Sequence, residues 1–220
     1  VHEVHPSHFG AGRNPSRACL SCIIENTKPP IWAETYNILG DFMERDIKAV
    51  LQFVWATLQH KYFVLMAGLR TKVPIWRLII HDLSKFGPSE LLPYARQFHG
   101  DKTGNDEAFA RAWLHHQNVN PHHWEYWVTR SGNKLQSGAE RVTPIDMPEH
   151  FVREMVADWM GASRSYSGYS PASISEWDWL QKNWPRISVN TTKATQARVY
   201  RVLGEVFNEN SLKDIARIVK

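Results

Sequence analysis

At 220 residues, with 43% hydrophobic and 22% charged side chains, the chain is long enough to bury a full core and too apolar to be a disordered tail. A formal charge of +4 and a pI near 9.1 suit an anionic small molecule. No Lys/Arg-dense run supplies the basic stripe that direct RNA or DNA binding needs, and no apolar run approaches the roughly 18 residues that span a bilayer. A soluble, intracellular protein of the cytoplasm or an organellar matrix is therefore expected.

Residues 1–34 read as an irregular arm, because Pro6, Gly10, Gly12, Pro15, Pro29 and Pro30 forbid a long helix. Within it His5, His8, Cys19 and Cys22 have the donor types and short pair spacings of a structural zinc site. A redox pair and two plain thiols are the competing readings, and two cysteines are too few for a disulfide framework. Residues 35–220 read as one helical domain. From about Trp32 to Leu69 the pattern turns helical, with Ile47, Val50, Leu51, Val54 and Leu58 as the stripe expected to face the core. His60 lies near its end.

The apolar run Val73 to Ile80 delivers His81-Asp82-Leu83-Ser84-Lys85-Phe86, an imidazole beside a carboxylate at the end of a rigid element. Burying both is costly unless a partner satisfies them, and a divalent cation is one such partner. The competing reading is a helix C-terminus whose Asp bonds a nearby amide. A short helix is expected over Ser89 to Phe98, and another over Asp106 to Asn118. In the latter, Phe109, Ala112, Trp113 and His116 share a face and His115 points about 100° away. Four of the chain's eleven histidines, His115, His116, His122 and His123, fall within nine residues.

Arg130 to Thr143 reads as a loop. A helix follows from Pro148 to about Ser163, with Phe151, Glu154, Met155, Asp158 and Ala162 as one stripe. Asp158 on that apolar face requires a partner, either a cation or an Arg such as Arg153 or Arg164. Ser165 to Ser175 reads as a polar loop, and helices are expected over Ile174 to Asn183, Thr192 to Phe207 and Leu212 to Val219. No strand period emerges, so the expected fold is all-α.

The order His60, His81-Asp82, His115-His116, His122-His123, Asp158 resembles that of the HD-domain metal-dependent phosphohydrolases, helical bundles whose ligands are a His, a His-Asp pair, further His residues and a distant Asp. The His81-Asp82-x-x-Lys85 form is similar to the HD-GYP branch. The Gly-Tyr-Pro signature is absent, so cyclic-dinucleotide hydrolysis is not implied. The blocks His81 to Phe86, Ala112 to Trp127 and Met147 to Ser163 resemble, over roughly residues 40 to 200, an uncharacterised HD-like family with no established substrate.

The resemblance implies His60, His81, Asp82 and Asp158 as ligands of a first metal. It leaves His116, His122 and His123 to hold a second metal or to orient substrate. Lys85 and Asp82 are the expected catalytic residues, with Lys85 contacting a phosphate oxygen or positioning the water. Lys61 and Arg111 are weaker phosphate-binding candidates, and Trp124, Tyr126 and Trp127 belong to the core or to a base-stacking surface. Mixed imidazole and carboxylate donors suit Mn, Fe, Co, Ni or Zn, which would lower the pKa of a bound water and polarise a phosphoryl oxygen. The expected activity is hydrolysis of a nucleotide or another small phosphoester. The alternative is a catalytically silent HD-like scaffold, a structural subunit of a larger assembly, organellar or cytoplasmic, that docks through the arm and its aromatic surface.

Overall fold

A computed structural model of the chain describes residues 31–134 and 140–208. The residues of the expected zinc site, His5, His8, Cys19 and Cys22, most of the 1–34 arm and the helix expected over Leu212 to Val219 lie outside the described residues. The chain divides into two compact units, residues 1–42 and 43–220, and the core and the site belong to the second.

Seven α-helices make up most of the described chain: α1 (Ile31–Arg70), α2 (Ile75–Ile80), α3 (Leu91–His99), α4 (Asp106–Val119), α5 (Glu149–Ser167), α6 (Asp178–Val189) and α7 (Lys193–Phe207). The fold is all-α, as its periodicity implies. No described helix is long and apolar enough to cross a membrane. The main core gathers Val64 of α1, Leu78 of α2, Val152, Met155, Val156 and Trp159 of α5, Leu180 of α6 and Val199 and Leu203 of α7. A second cluster joins Ala49 and Phe53 of α1 to Tyr94 and Ala95 of α3 and Ala112 of α4.

Three expectations are corrected. Arg130 to Thr143 is not simply a loop: β1 (Val128–Lys134) and β2 (Glu140–Pro144) form an antiparallel hairpin with Thr129 opposite Thr143. Its register shifts between Arg130 and Lys134, which breaks the two-residue alternation that reveals a strand. Helix α5 runs on to Ser167 because Ser163, Ser165 and Ser167 each donate to a carbonyl four residues back, spending their hydroxyls inside the helix. Gly168, at φ +79°, then ends it. Helix α6 starts at Asp178 rather than Ile174, since Ser173 Oγ accepts from Glu176 N and turns the chain first.

The face of α1 that packs inward also differs from expectation. Ile47, Leu51 and Leu58 are exposed, and Ala49, Phe53, Thr57 and Val64 are buried. Helix α1 carries apolar residues on two faces, so a 3.6-residue period fits either one. Small residues decide which packs closely. A Cβ on Gly161 of α5 would stand 2.6 Å from Val64 Cγ2 and 2.9 Å from Val64 N. This close approach lies one turn beyond Asp158 on α5 and one turn beyond His60 on α1, so it sets the separation of those two side chains. Gly161→Ala is expected to force the helices apart and lower stability by about 1–3 kcal/mol, read as a drop in denaturation midpoint. An unchanged midpoint would show that the contact does not hold the helices together.

Candidate metal centre

Helix α2 begins after Pro74, whose fixed φ suits a helix entry, and ends at Ile80. Asp82 then adopts the left-handed conformation, φ 56° and ψ 21°, at a cost of roughly 1 kcal/mol for a residue with a Cβ. That turn lets two consecutive side chains point inward, leaving His81 2% and Asp82 1% exposed. The following 3-10 turn, Leu83–Phe86, brings Lys85 back, and its Nζ donates to Asp82 Oδ2 at 2.6 Å.

Four elements converge on Asp82 Oδ2. His60 Nε2 from α1 and His81 Nε2 each stand 3.6 Å from it, and Asp158 Oδ1 from α5 lies 3.0 Å from His60 Nε2 and 3.5 Å from His81 Nε2. The other carboxylate oxygen, Oδ1, faces a second group. His122 Nε2 is 3.2 Å away and His116 Nε2 3.4 Å away, while His123 Nε2 lies 2.9 Å from His116 Nε2. Donors about 2.1 Å from one cation stand about 3.0 Å apart at right angles and about 3.4 Å apart at the tetrahedral angle. Both groups therefore have the edge lengths of a coordination shell, and each could hold a metal ion. Buried polar atoms normally have hydrogen-bond partners. Here His60 Nε2, His81 Nε2, His122 Nε2 and Asp82 Oδ1 are buried without one, and all four point into these two groups.

Two glutamates that sequence reasoning did not assign to the site hold the imidazoles from behind. Glu154 Oε1 lies 3.1 Å from His81 Nδ1 and 3.4 Å from His122 Nδ1. Its Oε2 accepts from Arg77 Nε at 2.9 Å and Nη2 at 2.7 Å. Glu90 receives His115 Nδ1 at 2.7 Å and His116 Nδ1 at 2.9 Å. Occupying Nδ1 leaves the Nε2 lone pair for a metal, the usual outer-shell arrangement. His81, His122 and Glu154 also form a compact trio, but Arg77 already neutralises that carboxylate, so the trio is a brace and not a third cation site. Its visible signal was spacing: Glu154 precedes Asp158 by one turn on the α5 stripe.

Burial disfavours every charge here, and at His81, Asp82 and Asp158 the neighbours outweigh it. The carboxylates around His81 raise its pKa to about 9, with Asp82 acting most strongly and Asp158 and Glu154 behind it. Asp82 is held well below the usual carboxylate range by His81 and Lys85, and Asp158 by His60 and His81. His123 is pushed well below its ordinary value by burial and by His122 and His116, which leaves it a neutral donor. Protons and a cation thus compete for the same nitrogens.

Both groups open onto a cleft of about 510 Å³. His60, His116, His123 and Asp158 reach it with Lys85, and Phe98, Trp113 and Tyr166 form apolar wall. Tyr94 also lines it, and its Oη is buried without a hydrogen-bond partner.

The remaining sequence candidates fall elsewhere. His115 is part-exposed and bonds Glu90 from outside. Lys61 donates to the carbonyls of Ile79 and His81, closing the end of α2. Arg111 is 80% exposed and pairs with Glu107. Trp124 and Trp127 pack against the main core, Trp127 Nε1 donating to Pro121 O, while Tyr126 is exposed. Arg153 pairs with Glu149 and Glu205, and Arg164 Nη1 donates to Ser170 Oγ, so these bonds of the two arginines are not made to Asp158.

No curated protein and no solved structure matches the chain. A family model does, over residues 49–205, a span that runs from the buried face of α1 through every donor of both groups. The chain accordingly belongs to the family of unknown function DUF5662.

Proposed function

We propose that this chain is a phosphohydrolase of the HD type, using two divalent cations and acting on a nucleotide or another small phosphoester. The observation that supports it is the pair of buried donor groups sharing Asp82, with unpartnered nitrogens and oxygen aimed inward beside an open cleft. When bound, the cations would supply Lewis acidity at a phosphoryl oxygen and lower the pKa of a water.

The chain's own residues do the rest. Asp82 joins the two groups through its two oxygens, and Glu154 and Glu90 fix the imidazole orientations. Lys85 keeps its charge, because Asp82 and Asp158 outweigh its burial. With one N–H on Asp82, it has two more to offer a phosphoryl oxygen. Tyr94 stays a phenol, its pKa pushed up by burial and by the charges of Glu90 and Asp82, so it keeps an O–H donor beside the cleft. Phe98, Trp113 and Tyr166 give an organic group apolar surface.

The test is phosphate release from p-nitrophenyl phosphate and from nucleoside mono- and triphosphates in the presence of Mn or Co. Metal-dependent turnover is expected, falling about 10²-fold in Lys85→Ala at unchanged metal content. A fully loaded protein with no turnover on any of these would favour the scaffold reading, which draws on the exposed apolar residues of α1 and α2.

A further inference from the structure

Helix α1 turns a second face to solvent, away from His60 and the core. Ile47, Leu51, Trp55, Leu58, Tyr62 and Met66 stand on it, each between 48% and 65% exposed. Between Lys48 and Arg70 no exposed position of the helix carries a charge. A solvated helix face normally alternates polar and charged residues, and contiguous apolar surface beyond roughly 600 Å² marks an interaction site. With Met43 and Leu69, which are also exposed, these side chains offer on the order of 800 Å², the share each partner contributes to a standard interface.

The spacing identifies the partner. From Ile47 to Met66 the steps are four, four, three, four and four, the same read in either direction. A two-fold axis across the helix between Trp55 and Leu58 therefore lays Trp55 on Leu58, Leu51 on Tyr62 and Ile47 on Met66 of a second copy. An isologous contact requires such a self-complementary patch. Ile47, Leu58 and Leu69 repeat at eleven residues, so the stripe drifts by only about 20° per repeat and stays on one side of a straight helix.

We infer that the chain forms an antiparallel homodimer through the Ile47 to Met66 face of α1. His60 points the other way, so both clefts remain open, and the dimer is independent of what the site does.

Sedimentation velocity of the full chain over a dilution series tests it. The expected species has twice the 25.5 kDa chain mass, and Leu51→Asp/Leu58→Asp is expected to be monomeric with unchanged helical circular dichroism and metal content. The single variants Trp55→Cys and Leu58→Cys, mixed, provide a second readout that puts no charge on the face. On mild oxidation the mixture should link position 55 of one copy to position 58 of the other, read as the mass of the mixed disulfide peptide, which differs from the mass of either variant's own. A wild-type monomer at every concentration overturns the inference, including one whose α1 face is protected from hydrogen exchange by the chain's own N-terminal residues. So does a dimer that persists in the aspartate variant, or a disulfide joining position 55 of one copy to position 55 of the other, which would mean a parallel pair.

Discussion

Asp82→Asn is expected to lose both cations at once. Elemental analysis of the wild-type chain should give two per chain, one for each group that contains Asp82, and the variant close to none. The reason is geometric: Oδ2 belongs to the His60, His81 and Asp158 group and Oδ1 to the His116 and His122 group. Asn tolerates the left-handed backbone at this position, so what is lost is the charge that both shells share and not the turn. Removing a ligand outright should cost more than the 10- to 100-fold in affinity typical of outer-shell changes. Two further variants separate the groups: Asp158→Asn should lose one cation and His123→Ala the other, each keeping the remaining equivalent. If Asp82→Asn retains one full equivalent, the two groups do not share the carboxylate and the binuclear reading is wrong.

Glu154→Leu is the second large effect. Its carboxylate meets His81 and His122 with one oxygen and Arg77 with the other, so one substitution releases an imidazole from each metal group and strands a buried guanidinium. Breaking a buried pair by removing one partner typically costs about 3–5 kcal/mol. Affinity for both cations should also fall about 10- to 100-fold, because neither Nδ1 is then held and neither ring orientation is fixed. Stability loss alone would not show that Glu154 positions the ligands. The double variant Arg77→Met/Glu154→Leu makes that distinction, since replacing both members of a buried pair by apolar groups is often close to neutral. It should regain most of the stability and keep the metal defect. Recovery of metal affinity along with stability would reduce Glu154 to a structural role.

Much of the donor set was legible in the sequence because its spacings are local. His81 and Asp82 are adjacent at the end of an apolar run, His116 shares a helical face with Phe109 and Ala112, and Asp158 interrupts an apolar stripe. The period of 3.6 places each of these without knowledge of any other helix. Glu90 and Glu154 were not assigned to the site, since a carboxylate on a helix reads as solvated until the helix facing it is known. The buried face of α1 was misread for a related reason. Both of its faces are apolar, and the choice lies with Gly161, ninety-seven residues after the Val64 it packs against.

By itself, then, the amino-acid order determined the helical class, the stock of imidazole and carboxylate donors and the helices that carry them, because each depends on neighbours within about two turns. Only the tertiary structure decided that Asp82 faces both groups, that two glutamates brace the histidines and that one apolar face of α1 is left to solvent. Those outcomes depend on contacts between helices far apart in the chain, and the turn at Asp82 and the close approach at Gly161 set where those helices meet.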